Sequence, residues 1–241
     1  MLIQDYRISL WNYFWYYTEG SLEDLMDEVR EAGFGIELWD RWKEDRRLYG
    51  PKYRDRLRAL TAGMKCSLHG QACRSREDHL EQLEAAKAVA ADVIVVHMGH
   101  FPDGDGGMDL AMMKEMARRC RDAGVVMALE NGRLDGLAEA FDHVGDDLGF
   151  CFDTGHREGL DRPFRQFLDA FGDRLCHVHL QDPEETQDHW ELGTGTNTAE
   201  DWRLLKGHLE KIGFQGAGVF EIRPRRPGVV AARSIEFFEG A

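Results

Sequence analysis

The chain has 241 residues, 43% of them hydrophobic, and a formal net charge of −14. That length suits one large α/β domain, no apolar run approaches the ~20 residues of a membrane span, and the acidic balance argues against a nucleic-acid partner, whose phosphates usually select a basic surface. The five cysteines, Cys66, Cys73, Cys120, Cys151 and Cys176, form no CxxC pair, and no basic start with an apolar signal region precedes the first strand-like stretch, so a reduced, cytoplasmic setting is expected.

Strand-like and helix-like segments alternate along the chain. A strand over 6–11 precedes a helix over 21–32, which Ser21 and Asp24 open as a capping pair. A strand over 34–38 precedes a helix over 51–62. A strand over 64–69 precedes a helix over 76–91, where Leu80, Leu83, Ala86, Lys87 and Ala90 fall on one mostly apolar stripe. The strands at 93–97, 125–130, 148–153, 175–180 and 217–221 precede helices at 108–122, 134–144, 160–171, 199–211 and 229–238. Gly33, Gly63, Gly124 and Gly213 stand where a helix end needs a left-handed residue. Eight such units without a linker predict the α/β class and a single (β/α)8 TIM barrel over 1–241, in preference to a doubly wound open sheet. The longest irregular stretches follow strands 4, 6 and 7, all at one rim, where they are expected to cover a site.

Six strands end on a metal-ligand residue type: His69, His97, Glu130, Asp153, His179 and Glu221. In a parallel barrel these ends converge on the C-terminal rim, where such folds place their chemistry. Side chains alternate along a strand, so Glu130 shares a face with Ala128, Asp153 with Cys151 and Gly149, and Glu221 with Val219. Small residues beneath a functional one suit a narrow interior. Glu130, Asp153, His179 and Glu221 come from four successive strands. Three carboxylates held together raise one another's pKa, which is the physical argument for a divalent cation among them. The oxygen and nitrogen donors suit Mn, Mg, Co or Zn.

Together with their order and spacing, His69-Gly70, His97-Met98-Gly99, Leu129-Glu130-Asn131, Phe152-Asp153-Thr154-Gly155-His156, His177-Val178-His179-Leu180-Gln181-Asp182, His189-Trp190-Glu191-Leu192-Gly193-Thr194-Gly195 and Phe220-Glu221 carry a resemblance. The chain resembles the xylose isomerase-like barrel superfamily, which holds sugar isomerases and epimerases, inosose dehydratases and endonuclease IV. The resemblance implies that Glu130, Asp153, His179 and Glu221 bind one metal. It also implies that His156 and His189 are polar groups of the site. Endonuclease IV binds three zinc ions, and its loop after strand 7 supplies an Asp two residues before a His; here that position is Gln187, with Asp188 beside it. His69 and His97 leave a second metal beside Glu130 open.

The leading expectation is a metal-dependent isomerase or epimerase of a small sugar, keto-sugar or sugar phosphate. Glu130 and Glu221 would flank the carbon that loses its proton and leave an enediolate. His69, His97, His156, His189 and Arg223 are the expected substrate contacts. Alternatives are an endonuclease IV-like zinc phosphodiesterase acting on abasic DNA, an inosose dehydratase-like lyase and a non-catalytic sugar-binding barrel. Other positions read two ways. His177, a layer below His179, suits a supporting role, and Glu37 suits site and structure equally. His100 is expected to face solvent. Trp11, Trp15, Tyr16 and Trp39 either wall a sugar pocket or pack under a loop. Arg223 and Arg225 follow strand 8, where barrels often bind phosphate. Gly193 and Gly195 suit a tight turn rather than a phosphate cradle. The expected partner is a small carbohydrate, with no membrane contact; a homodimer is compatible, though no interface signal marks one.

Overall fold

The computed structural model describes residues 1–11, 20–43, 45–71, 73, 75–157, 159–223 and 227–240. Eight parallel strands close into a barrel: β1 (Asp5–Ser9), β2 (Gly35–Leu38), β3 (Cys66–His69), β4 (Val93–Val96), β5 (Val126–Glu130), β6 (Leu148–Asp153), β7 (Leu175–Leu180) and β8 (Ala217–Phe220). The last strand pairs with the first, Arg7 opposite Val219 and Ile8 opposite Phe220, and this closes the ring. Among the described residues, eight α-helices follow the strands: α1 (Leu22–Glu31), α2 (Arg54–Leu60), α3 (Arg76–Ala88), α4 (Leu110–Asp122), α5 (Leu134–Val144), α6 (Pro163–Phe171), α7 (Ala199–Ile212) and α8 (Pro227–Gly240). The predicted (β/α)8 barrel is thus the observed fold.

Local chemistry sets the element ends. Ser21 and Asp24 form a reciprocal capping box on α1, and Thr198 with Asp201 does the same on α7. Gly33, Gly63, Gly124 and Gly213 all take positive φ. Most boundaries shift by two residues or fewer, and three helix boundaries shift by three. Helix α6 begins at Pro163, not 160, because proline's fixed φ suits a first helical position. The segment 51–62 splits into a 3-10 turn (Pro51–Tyr53) and α2. Helix α3 stops at Ala88, and Ala90, with φ 53, lies beyond it. Its buried face matches the predicted stripe only in part: Leu83 and Ala86 are buried and Leu80 packs against the core, but Lys87 and Ala90 are exposed, and His79, Gln82 and Ala85 are buried instead. Gln82 is drawn inward by hydrogen bonds with the Gln71 backbone, and His79 by stacking on Phe101 at 4.2 Å.

The strands are buried on both faces, as in a helix-covered parallel sheet. Outward residues such as Ile8, Ile36, Leu68, Leu129, Phe152, Val178 and Phe220 pack beneath the helices. The interior divides into two sectors. Val93, Val95, Ala128 and Cys151 form a small apolar cluster on one side. Arg7, Ser9, Glu37, Ser67 and His177 are also buried. A register shift between Phe150 and Cys151 sets Cys151 opposite His177 and Asp153 opposite His179, which brings these two strand ends level.

Candidate active site

The strand ends put their side chains together at the C-terminal rim. Glu130 closes β5, Asp153 closes β6, His179 is the penultimate residue of β7, and Glu221 follows β8. All four are buried. His179 Nδ1 lies 3.3 Å from Glu130 Oε2, 3.8 Å from Asp153 Oδ2 and 3.7 Å from Glu221 Oε2. Around them stand more imidazoles. His156 Nδ1 is 2.8 Å from Glu130 Oε1, and His97 Nε2 is 3.3 Å from Glu130 Oε2. His69 and His97 meet through their Nε2 atoms at 3.2 Å. His189 Nε2 lies 3.4 Å from Glu221 Oε2.

Burial and charge oppose each other here. Burial would raise the Glu130 carboxyl, but His97, His179 and His156 outweigh it and hold it well below the usual carboxylate range. Burial is likewise overcome at Glu221, which His179 and His189 hold at about 2. The same contacts lift the rings against their own burial. His156 rises to about 10 through Asp153 and Glu130, and His189 to about 9 through Asp188 and Glu221. His97 goes the other way, because burial and its histidine neighbours outweigh Glu130.

The donor set fits a divalent cation. Among the described residues, Glu130 Oε1 and Oε2 and His179 Nδ1 are buried without a well-directed hydrogen bond. The ligand atoms of Asp153, His179 and Glu221 lie within 4.8 Å of one another, as do those of His69, Glu130 and His179. Three carboxylates sharing one pocket need positive charge to offset them; the neighbouring imidazoles supply it here, and a divalent cation would supply it among the same oxygens. The oxygen-rich set with one imidazole suits Mn, Mg, Co or Zn.

Several supporting residues were not predicted. Gln181, just past β7, donates from Nε2 to both Asp153 oxygens at 3.0 Å, and its Oε1 accepts the His189 backbone N–H at 2.6 Å. Asn131 fixes the backbone around Asp153; its Nδ2 donates to the Asp153 and His156 carbonyls. Ser9 Oγ donates to Glu221 Oε1 at 3.0 Å. Asn131 and Gln181 lie within the segments that carry the family resemblance, but nothing there marks them as partners of Asp153; the signal of Ser9 is only its place at a strand end.

The loop after β7 departs from the three-zinc pattern in a specific way. Asp188 Oδ1 sits 2.9 Å from His189 Nδ1 and 2.8 Å from Arg223 Nη2, while Arg223 Nη1 donates to Gln187 Oε1 at 3.1 Å. Arg223 also lies over the Trp190 ring. The guanidinium, expected to face substrate, is engaged with this loop. His189 holds φ 66, a left-handed conformation unusual for a side-chain-bearing residue. Gly193 and Gly195 wrap Asp182: Gly193 donates its N–H to Asp182 Oδ2, and a Cβ at Gly195 would overlap that carboxylate. The tight-turn reading therefore holds.

Other expectations resolve individually. His100 is half-buried, not solvent-facing, because its Nδ1 accepts the His97 N–H and its ring packs on His97 at 4.8 Å. Trp11 stacks on His189 at 4.2 Å, with Trp39 edge-on to it at 6.5 Å. Trp15, Tyr16 and Arg225 lie outside the described residues. A cavity of about 540 Å³ opens beside the rim, lined in part by Gly155, Arg157, Asp188 and Arg223. A larger one, about 830 Å³, opens at the opposite end around Val126 and Leu148, away from this chemistry.

The profile of a family described as xylose isomerase-like TIM barrel matches residues 26–240. No curated protein sequence matches the chain significantly. Among solved structures, a D-tagatose 3-epimerase-like protein superposes with a TM-score of 0.73 at 20% identity, covering 98% of this chain and 97% of that one. The 3-keto-D-glucoside 4-epimerase from E. coli gives 0.69 at 18% identity, covering 98% and 99%. Endonuclease IV from Thermus thermophilus gives 0.62 at 19% identity, covering 98% of each chain. At these identities the likeness speaks for the fold.

Proposed function

The chain belongs to the xylose isomerase-like TIM barrel family, and from that premise we propose that it is a divalent-metal-dependent isomerase or epimerase of a small sugar, keto-sugar or sugar phosphate. One observation carries the reading. Glu130 and Glu221 each turn one oxygen toward His179 Nδ1, at 3.3 and 3.7 Å, so two carboxylates flank one point at the bottom of the rim. Sugar epimerases are among the similar structures.

Glu130, Asp153, His179 and Glu221 would hold the ion, which supplies a Lewis acid for a substrate carbonyl and its neighbouring hydroxyl. The remaining chemistry belongs to the side chains. Glu130 and Glu221 are held ionised, ready to accept a proton from a carbon placed between them. Removal by one glutamate and return by the other inverts the carbon; return to the adjacent carbon isomerises the sugar. His156, held protonated beside Glu130, would donate a hydrogen bond to a substrate oxygen. His69 and His97 would line the adjacent wall. Trp11, stacked on His189, would give the sugar ring an apolar face.

The geometry disfavours the nuclease reading. Asp188, the substitute for the ligand missing at Gln187, is already shared between His189 and the Arg223 guanidinium, so a fixed cation stands beside the place of a third zinc. The test is a substrate screen. Metal-stripped protein reloaded with Mn²⁺, Co²⁺ or Zn²⁺ is expected to convert a ketose or ketose phosphate to its epimer or aldose, and chelator is expected to stop it. Cleavage of an abasic duplex with no conversion of any sugar would overturn the proposal.

A further inference from the structure

Glu37 lies beneath the site, in the barrel interior, and is fully buried. Its register neighbours are both serines, Ser9 on β1 and Ser67 on β3. These small residues leave space for its side chain to cross the interior to β7. There both of its oxygens are used. Oε2 accepts Ser67 Oγ at 2.9 Å and meets His177 Nε2 at 2.9 Å. Oε1 stands 3.0 Å from His179 Nε2, an ion-pair contact rather than a linear hydrogen bond. All of these groups are shielded from solvent.

A carboxylate buried this deeply is costly unless its partners compensate. A barrel interior can be filled with apolar side chains, as the Val93, Val95, Ala128 and Cys151 sector shows. Glu37 instead faces the one ring nitrogen of His179 that points away from Glu130, Asp153 and Glu221. We infer that Glu37 is a positioning residue: it keeps the proton of His179 on Nε2, so that Nδ1 presents its lone pair to a metal held with the three rim carboxylates. Ser67 and His177 anchor the other oxygen and fix the direction of the first. A ligating imidazole commonly donates its second N–H to a carboxylate, and the 3.0 Å approach of Oε1 to Nε2 places one within reach.

The inference rests on the proposed metal role of His179, and the test separates the two. Calorimetric titration of metal-free protein with Co²⁺ or Mn²⁺ compares wild type, Glu37→Gln, Glu37→Asp and Ser67→Ala. Glu37→Gln is expected to weaken binding roughly 10–100-fold. Glu37→Asp should recover part of this, and Ser67→Ala should lose less. Long-range ¹H–¹⁵N spectra of the zinc-loaded protein should show His179 protonated at Nε2, with the Nε2–H resonance further downfield in wild type than in Glu37→Gln. A purely space-filling Glu37 would leave that resonance unmoved. Equal affinity, or an unmoved resonance, in folded Glu37→Gln would overturn the Glu37 assignment alone. A His179 ring protonated at Nδ1 in the zinc-loaded protein would overturn its ligation through Nδ1 and this inference with it. No metal binding by the wild type would overturn the metal reading and this inference with it.

Discussion

Asp153 is held by donors that its own position in the chain does not announce. Gln181 grips both of its oxygens, and the Gly155 and His156 N–H groups donate to Oδ1. Replacing Gln181 with Met should cost about 1–3 kcal/mol, because the buried Asp153 carboxylate and the His189 N–H lose a partner; urea unfolding would measure it. Gly155→Ala should act at the same point, since a Cβ there would overlap the Gln181 side chain. Calorimetry should show weaker divalent-metal binding in both variants, and unchanged affinity in both would show that Gln181 does not orient Asp153. The strand-end residues were readable from sequence because each closes a short apolar run, and parallel strands taken in chain order bring those ends to one rim. Gln181 and Glu37 were not readable as partners, because what they do depends on residues 28 and 140 positions away.

Helix α3 shows what an element's pattern can and cannot convey. Its apolar positions place it correctly, but its inner face includes His79, which stacks on Phe101. Burial lowers the His79 pKa to about 4, against the opposing pull of Asp78 and Asp109. The unfolded chain takes up a proton near pH 6.5, and the folded protein does not until about pH 4. The unfolded state then binds more protons across that window, so stability falls as pH drops through it. The contribution at pH 5 is on the order of 2 kcal/mol. His79→Phe should remove it, so the variant should gain on wild type between pH 7 and pH 5 in urea unfolding. A constant difference across those pH values would contradict the argument. Helix ends were more legible than faces: a glycine or a capping serine acts locally, whereas the sides of α3 are chosen by Phe101 and Gln71.

At the scale of the whole molecule, eight alternating segments were enough to predict the closed barrel, because each parallel strand needs a crossover and both its faces need cover. The Arg41–Trp42 and Asp45–Arg46 hairpin after β2 gave no such periodic signal. Among the described residues no helix is long and apolar enough to cross a membrane. An ion that binds the folded rim alone should stabilise the barrel by about 2.7 kcal/mol at a hundredfold excess over its Kd. Thermal unfolding with and without chelator would detect this, and no shift with any of Mn²⁺, Co²⁺, Zn²⁺ or Mg²⁺ would count against the ion. The central claim is that Glu130 and Glu221 exchange a carbon-bound proton of a sugar. It is tested most directly by incubating the metal-loaded protein with ketoses and their phosphates in deuterium oxide and following the carbon beside the carbonyl by NMR. The account predicts deuterium at that carbon with wild type and none with Glu130→Gln. Undiminished exchange by Glu130→Gln on a substrate the wild type turns over would contradict it.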